Sequence, residues 1–354
     1  MIFFCTYFDS NYLDRGLALY QSLIRHSPEF RLWVLCFDDS TYEILQKLSL
    51  PGISPVSLRD FEKDDPALAK AKSNRRKVEY YFTCTPSLPL YVLKNNPAVD
   101  LITYLDADLF FFSSPEPALQ ELGEGSISII GHRFPSRLKE REQWGIYNVG
   151  FLSFRNNNEG LVCLRWWRER CLEWCYDRVE NGLCADQKYL DDFPKLFNKV
   201  VVLQHPGIGL APWNIENHRI RVEAGRLFSN KQPLIFFHFA HFKRVTSWFC
   251  ELGFTCYGAL LGPDLRKYLY QPYVRELRQS ACLLSRIGLK AIPGSSIRDE
   301  HERVTLAKKL SSVFCPTDGQ QTSFSQGVKI VNRKIISKLK KHDFLLVIFN
   351  KFYW

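Results

Sequence analysis

The chain has 354 residues, 46% of them hydrophobic and 24% charged, and a formal net charge of +10. That length buries one large core or two modest ones, and the absence of any run of about twenty apolar residues excludes a membrane-spanning helix. Eleven cysteines, an odd number without a Cys-x-x-Cys pair, argue against a disulfide framework or a zinc site and for reduced core thiols.

Met1 runs straight into the apolar segment Ile2 to Tyr7 without a signal-peptide pattern, so a cytoplasmic location is expected. Leu13 to Ile24 carries an apolar stripe at helical spacing, Leu32 to Phe37 reads as a second strand, Thr41 to Leu48 as a helix and Ile53 to Leu58 as a third strand. This βαβαβ rhythm predicts an α/β fold with a doubly wound, mostly parallel sheet. Neither Gly-x-Gly-x-x-Gly nor Gly-x-x-x-x-Gly-Lys is present, so phosphate recognition falls to a metal and basic side chains.

Between the first strand and helix stands Asp9-Ser-Asn-Tyr12, where a base can stack on Tyr12 and hydrogen-bond Asp9 and Asn11. A helix N-cap from Ser10 or Asn11 explains the same residues equally well. Lys70 to Lys77 forms a basic loop before a helix expected to run through Leu93, and it reads as a solvated face or as a closure over a pyrophosphate.

Val99 to Ser114 organises the rest. After Asp100 it is an apolar, β-branched and aromatic run, the pattern of a strand buried on both faces, whose only charged residues are Asp106 and Asp108. Alternation along a strand puts both carboxylates on one side and Ala107 on the other, at the edge where open sheets hold their ligands. Such a pair suits a hard divalent cation shared with phosphate oxygens.

Further strands are expected at Ser126 to Ile130 and Tyr147 to Phe154, with Asn148 and Gly150 permitting close approach of a sugar. Glu159 to Val179 reads as a helix with an apolar stripe, and Asp186-Gln187 as a capped helix start. His205 to Asn214 is a Gly- and Pro-rich loop presenting Trp213 and Asn214 to a hydroxylated ligand. A last strand from Pro233 delivers His238, His241 and Lys243 at its end, so a third metal ligand and a phosphate contact are expected beside the Asp pair.

The C-terminal part differs in charge. From residue 263 onward there are 17 Lys and Arg against 7 Asp and Glu, leaving the preceding part balanced at 30 against 30. We therefore divide the chain into a catalytic domain, residues 1–262, and a basic, mainly helical annex, residues 263–354. A helix from Val328 gathers Val328, Val331, Ile335 and Leu339 on one side with basic residues around them. With Phe344 to Phe349 and Phe352 to Trp354 behind it, that helix suits an anionic membrane face, or else packs on the catalytic domain.

Taken together, five segments resemble the GT-A fold nucleotide-sugar glycosyltransferases, particularly the retaining group of glycogenin and bacterial lipopolysaccharide galactosyltransferases. They are Asp9 to Tyr12 with Gly16 to Leu23, Tyr104 to Asp108, Tyr147 to Gly150, Asp186-Gln187, and His238 with Lys243, in order over about two-thirds of the chain. The resemblance implies a Rossmann-like nucleotide-sugar half, an acceptor half, and metal-dependent transfer from a nucleotide-diphosphate sugar, a UDP-sugar in that group, to a glycan or lipid-linked acceptor. It implies manganese or magnesium on Asp106, Asp108 and His238, and the nucleotide on Asp9, Asn11 and Tyr12, with Thr6 and Lys77 beside them. By the same likeness Lys243 contacts the diphosphate, Asn148, Gly150 and Asp186 the sugar, and Gln187 lies near the anomeric carbon, with Trp213 and Asn214 on the acceptor side.

Two departures stand out. The group's His-x-x-Gly-x-x-Lys-Pro-Trp becomes His238-Phe-Ala-His-Phe-Lys243, and an Arg in the helix before the metal motif becomes Thr83 or its neighbour. Rival readings are an aspartyl phosphatase, which places Asp-x-Asp on its first strand, a sugar nucleotidyltransferase, which wants a Gly-rich N-terminal loop, and a non-catalytic carbohydrate- or membrane-binding protein, which needs no metal constellation. Nucleic acid is not an expected partner.

Overall fold

The structure is a computed structural model that describes residues 1–27, 29–244, 249–259 and 261–287 and two strands near the C-terminus. Strands β1 (Ile2–Phe8), β2 (Phe30–Cys36) and β3 (Ile53–Ser57) alternate with helices α1 (Leu13–His26) and α2 (Asp39–Leu48). They pair in parallel, as the βαβαβ rhythm predicts. Helices α3 (Leu58–Asp64), α4 (Pro66–Ala71), α5 (Lys77–Cys84) and α6 (Ser87–Asn95) lead to β4 (Leu101–Leu105). The single helix expected after Lys77 is two helices, because Pro86 has no N–H and cannot continue the ladder across Thr85.

The central segment also departs from the expected single strand. It stops at Leu105, turns through Asp106-Ala107-Asp108 with Leu109 N donating to Asp106 O at 3.1 Å, and resumes as β5 (Leu109–Phe111). The two carboxylates therefore share a turn rather than one face of a strand. Turning is what a chain does when it must lift two charges out of a buried sheet.

After α7 (Glu116–Gln120) come β6 (Ile127–Gly131), β7 (Tyr147–Arg155), α8 (Asn158–Glu173), α9 (Phe193–Leu196) and β8 (Val200–Leu203). Helix α8 ends at Glu173, six residues short of the expected stop, where Trp174 turns extended with φ −148° and ψ 122°. The main sheet has seven strands in the order β3-β2-β1-β4-β7-β6-β8. It is mixed: β7 runs antiparallel to both β4 and β6, while β1 with β4 and β6 with β8 are parallel.

Alternation along β1 sends Phe4 and Phe8 into one core and Cys5 and Tyr7 into the other. On one side α1 and α2 cover the sheet with Leu17, Leu23 and Leu45, and on the other α5, α6 and α8 cover it with Tyr80, Leu88 and Trp167. The order reverses between β1 and β4, so the crevice of an open α/β sheet opens past their carboxyl ends, at Asp9 and Asp106.

A hairpin region of β9 (Ile220–Glu223), β10 (Arg226–Ser229) and β11 (Gln232–Pro233) precedes β12 (Phe236–His238). The last strand expected from Pro233 to Lys243 is thus broken, with Lys243 in a separate short strand, β13 (Lys243–Arg244), antiparallel to β14 (Phe249–Glu251). Strands β15 (Phe344–Ile348) and β16 (Lys351–Tyr353) extend that sheet. The annex opens on a π-helical turn, Leu265–Tyr270, that runs into α10 (Gln271–Arg286). Its Tyr270, Tyr273 and Leu277 join Phe110, Phe237 and Phe239 in a third core. The helix expected from Val328 lies outside the described residues, whereas Phe344–Ile348 enters as strand β15. Among the described residues no helix is long and apolar enough to cross a membrane.

Candidate active site

The pairing of β5 with β12 builds the centre of the site. Its register sets His238 opposite Leu109, and Phe239 N donates to Asp108 O at 3.0 Å, so a residue 130 positions downstream is brought beside the Asp turn. His238 Nε2 lies 3.1 Å from Asp108 Oδ1 and 3.7 Å from Asp106 Oδ2. Asp106 is further held by the Tyr104 hydroxyl, which donates to its Oδ1 at 2.8 Å.

The three side chains titrate against one another. Burial pushes the Asp106 carboxyl up, and the His238 ring counters it while Asp108 adds to it. Burial also opposes ionisation of Asp108, but His238 and Arg15 outweigh it and hold that carboxyl low. His238 itself is raised: burial disfavours its cation, yet both carboxylates favour it more.

This donor set fits a divalent cation. One ligand atom from each of Asp106, Asp108 and His238 lies within 4.8 Å of the others, close enough for all three to share one ion. Gly150 packs closely against the cluster, and only glycine fits there: a Cβ would meet Asn148 Oδ1 at 2.7 Å, His238 Nδ1 at 3.1 Å and Asp106 Oδ2 at 3.2 Å. The ring atom of His238 on that side, Nδ1, is buried without a hydrogen-bond partner.

On the β1 side, Asp9 caps the 3-10 turn Ser10–Tyr12 by accepting from Asn11 N. Helix α1 itself has Tyr12 at its N-cap with no side-chain cap bond, so neither Ser10 nor Asn11 caps it as the helix-cap reading expected. The Asp9 carboxylate also accepts from Asn11 Nδ2, from the Tyr81 hydroxyl at 3.1 Å and from Lys77 Nζ at 2.8 Å. Tyr81 stacks on Phe37 with ring centroids 3.7 Å apart, which fixes an aromatic wall beside Asp9. Tyr12 is exposed, with the Arg15 guanidinium 4.1 Å from its ring centre. Just past β2, Asp38 caps α2 and accepts from Ser10 N and from Thr41 N and Oγ1. Thr6 is fully buried within β1.

On the β7 side, Asn148 accepts from Gly150 N through Oδ1, and its Nδ2 lies 3.3 Å from both Gln187 Oε1 and His132 Nε2. Gln187 donates to Trp144 O at 3.0 Å. Asp186 is buried, its carboxyl makes no cap bond to the 3-10 helix Gln187–Asp192, and it bonds Thr85, which in turn meets the Tyr7 hydroxyl at 3.0 Å. Burial pushes the Asp186 carboxyl up to about 7, the Asp106 charge adding to the shift and Thr85 opposing it.

Trp213 and Asn214 face inward. Both donate to His132 O at 2.9 Å, and Asn214 also bonds Gly209 O and Ala211 N. The ring of Trp213 meets that of His238 edge-on at 5.3 Å, so this pair braces the site from behind. Lys243 lies in β13; burial lowers the nearby His241 imidazole, with Asp108 opposing the shift and His238 and Lys243 adding to it.

Tyr81, Tyr104, Thr85, His132 and Arg15 were not singled out from sequence. One signal was available for Tyr81: four residues after Lys77, it shares that residue's helix face.

An open seven-stranded sheet with an Asp-x-Asp turn past β4 and the Asp9 segment past β1 has the architecture of the GT-A glycosyltransferase fold. The structure of galactosyltransferase LgtC with donor and acceptor sugar analogs superposes on 78% of this chain and 96% of its own, with a TM-score of 0.52 at 15% sequence identity. In sequence, the chain belongs to the family of the uncharacterized proteins YfnD and YfnF of Bacillus subtilis (strain 168). It is 32% identical to YfnD over 279 residues, which is 78% of this chain and 88% of YfnD. It is 33% identical to YfnF over 251 residues, 69% of this chain and 82% of YfnF. No protein-family model matches.

Proposed function

We propose that the chain is a metal-dependent glycosyltransferase that moves a sugar from a nucleotide-diphosphate sugar, a UDP-sugar, to a glycan or lipid-linked acceptor in surface polysaccharide or lipopolysaccharide synthesis. The observation that carries this is the Asp106, Asp108 and His238 cluster at the sheet's reversal point, one strand from the Asp9 crevice. When bound, a divalent cation neutralises the diphosphate and acts as a Lewis acid on the leaving group.

The chain's own residues do the rest. Asp9 and Asn11 hydrogen-bond the base, Tyr12 stacks on it, and Lys77 closes from α5. Lys243 adds a positive contact to the diphosphate. Asn148 and Asp186 hold the transferred sugar, Gly150 leaves it room, and Gln187 lies near its anomeric carbon. Transfer with retention, the leaving phosphate taking the acceptor proton, needs no carboxylate base from the protein. The basic sequence from Val328, with seven Lys and Arg against Asp343, suits docking on an anionic leaflet beside a lipid-linked acceptor. Co-sedimentation of the full chain with anionic and neutral vesicles tests that part, and equal recovery on both would sink it.

For the donor, a thermal-shift screen of UDP-, GDP-, CMP- and dTDP-sugars with and without manganese is the direct test. A ligand well above its Kd stabilises the native state by a few kcal/mol, about 2.7 at a hundredfold excess. A manganese-dependent shift with one nucleotide class, and release of that nucleotide on adding acceptor, is expected. Uniform indifference to all four classes would overturn the assignment.

A further inference from the structure

We propose that Trp144 is the platform on which the acceptor's sugar ring stacks, so that the acceptor presents a saccharide, not an amino-acid side chain, to the reacting centre; this rests on the glycosyltransferase reading above. Of the large apolar side chains that stand exposed among the described residues, two are aromatic: Tyr12 and Trp144, each 38% exposed. Tyr12 flanks the donor crevice and Trp144 the opposite side.

The position of Trp144 is fixed while part of its side chain stays exposed. It closes the 3-10 helix Ser136–Trp144, and Gly145 follows with φ +135°, a backbone conformation that excludes a side chain. A Cβ on Gly145 would also press to 3.2 Å from Gln187 Cγ. Gln187 Nε2 donates to Trp144 O, Lys188 Nζ donates to Glu142 O at 2.8 Å, and Asp191 accepts from Ile146 N at 2.7 Å. A loop clamped at three points by one helix gains nothing in folding from an exposed indole. A backbone held at three points presents the exposed part of the indole in one orientation, which is what a recognition surface requires.

Two routes tie this residue to the cluster, one from its backbone carbonyl and one from its ring. Through hydrogen bonds, Trp144 leads to Gln187, Asn148 and Gly150. Through rings, the Arg141 guanidinium sits 5.4 Å from the Trp144 centroid and 4.9 Å from that of Tyr257. Tyr257 meets Trp213, and Trp213 meets His238. Arg141 covers part of the indole, and the remainder faces solvent. An indole face is negative and apolar, whereas one face of a pyranose offers several polarised C–H bonds, so the two stack and leave the ring hydroxyls free for Arg141 and Gln187.

The test uses the full chain with 15N-labelled tryptophan and UDP with manganese in the sample, titrated with lactose, maltose, cellobiose and N,N′-diacetylchitobiose. The Trp144 indole signal is assigned by its loss in Trp144→Phe. The expected result is that at least one saccharide moves that signal. Its affinity should fall at least tenfold in Trp144→Ala and return to within threefold in Trp144→Phe. If no saccharide moves the Trp144 signal, or if the bound one is held equally well by Trp144→Ala, the platform is overturned. UDP binding in the same tubes keeps the two ideas apart: its persistence leaves the donor site standing, and its absence removes the donor site as well.

Discussion

Gly150 lies directly against Asp106: its carbonyl accepts the Asp106 backbone N–H at 3.0 Å, and a methyl group on its Cα would come within 3.2 Å of Asp106 Oδ2. The contact joins β7 to the turn after β4 and leaves no room for a side chain between Gly150 and the Asp106 and His238 side chains. Gly150→Ala should therefore fold and yet lose metal. Overpacking of this kind costs about 1 to 3 kcal/mol, so a lowered but cooperative melting transition is expected. Manganese affinity, followed by calorimetry, should fall at least tenfold, and an unchanged affinity would show that Gly150 does not shape the cation's space.

Tyr12 stands at the other side of the crevice with Arg15 over its ring. Replacing it with Ala should weaken UDP binding in the presence of manganese by about 1 to 3 kcal/mol, the usual loss when a stacked base loses its aromatic ring. Melting temperature should barely change, since the side chain is exposed and Asp9, not Tyr12, caps the 3-10 turn. Unaltered UDP affinity would make the segment a helix start and nothing more.

A pH dependence follows from His218, which sits in the loop before β9 with Nδ1 2.8 Å from Ser229 Oγ. Burial pushes its imidazole down to about 4, and the Arg133 cation adds to the shift. The unfolded chain takes up this proton near pH 6.5 and the folded chain only near 4, so His218 contributes stability above pH 6.5 that is lost as pH falls through that window. The loss is at most about 3 kcal/mol, less after solvent screening. Denaturant midpoints between pH 7 and pH 4 should fall more steeply in the wild type than in His218→Gln. Parallel curves would remove the histidine from the explanation.

Much of this site is legible in the sequence, and the reasons are local. Asp106 and Asp108 stand out because charge inside an apolar run has no reason in packing, and β1 to β3 follow from hydrophobic period alone. What is not legible depends on contacts between distant segments. That β5 leaves the main sheet to pair with β12 decides how His238 reaches Asp108, yet nothing between residues 109 and 111 announces it. Trp213 and Asn214, in a loop of Gly and Pro that suggests exposure, are turned inward by the carbonyl of His132. The two-helix break at Pro86 was visible, since a proline interrupts the run, whereas the bond from Tyr81 to Asp9 exists only because α5 packs across the end of β1.

The most direct measurement is calorimetric titration of UDP into Asp106→Asn and Asp108→Asn beside the wild type, each with manganese and with EDTA. Asn keeps the volume and removes the charge that a hard cation requires. The wild type should bind UDP in manganese and lose at least tenfold in EDTA, and each variant should bind in manganese no better than the wild type does in EDTA. Wild-type affinity in either variant, or binding that ignores EDTA, would contradict a metal-held nucleotide sugar at this site.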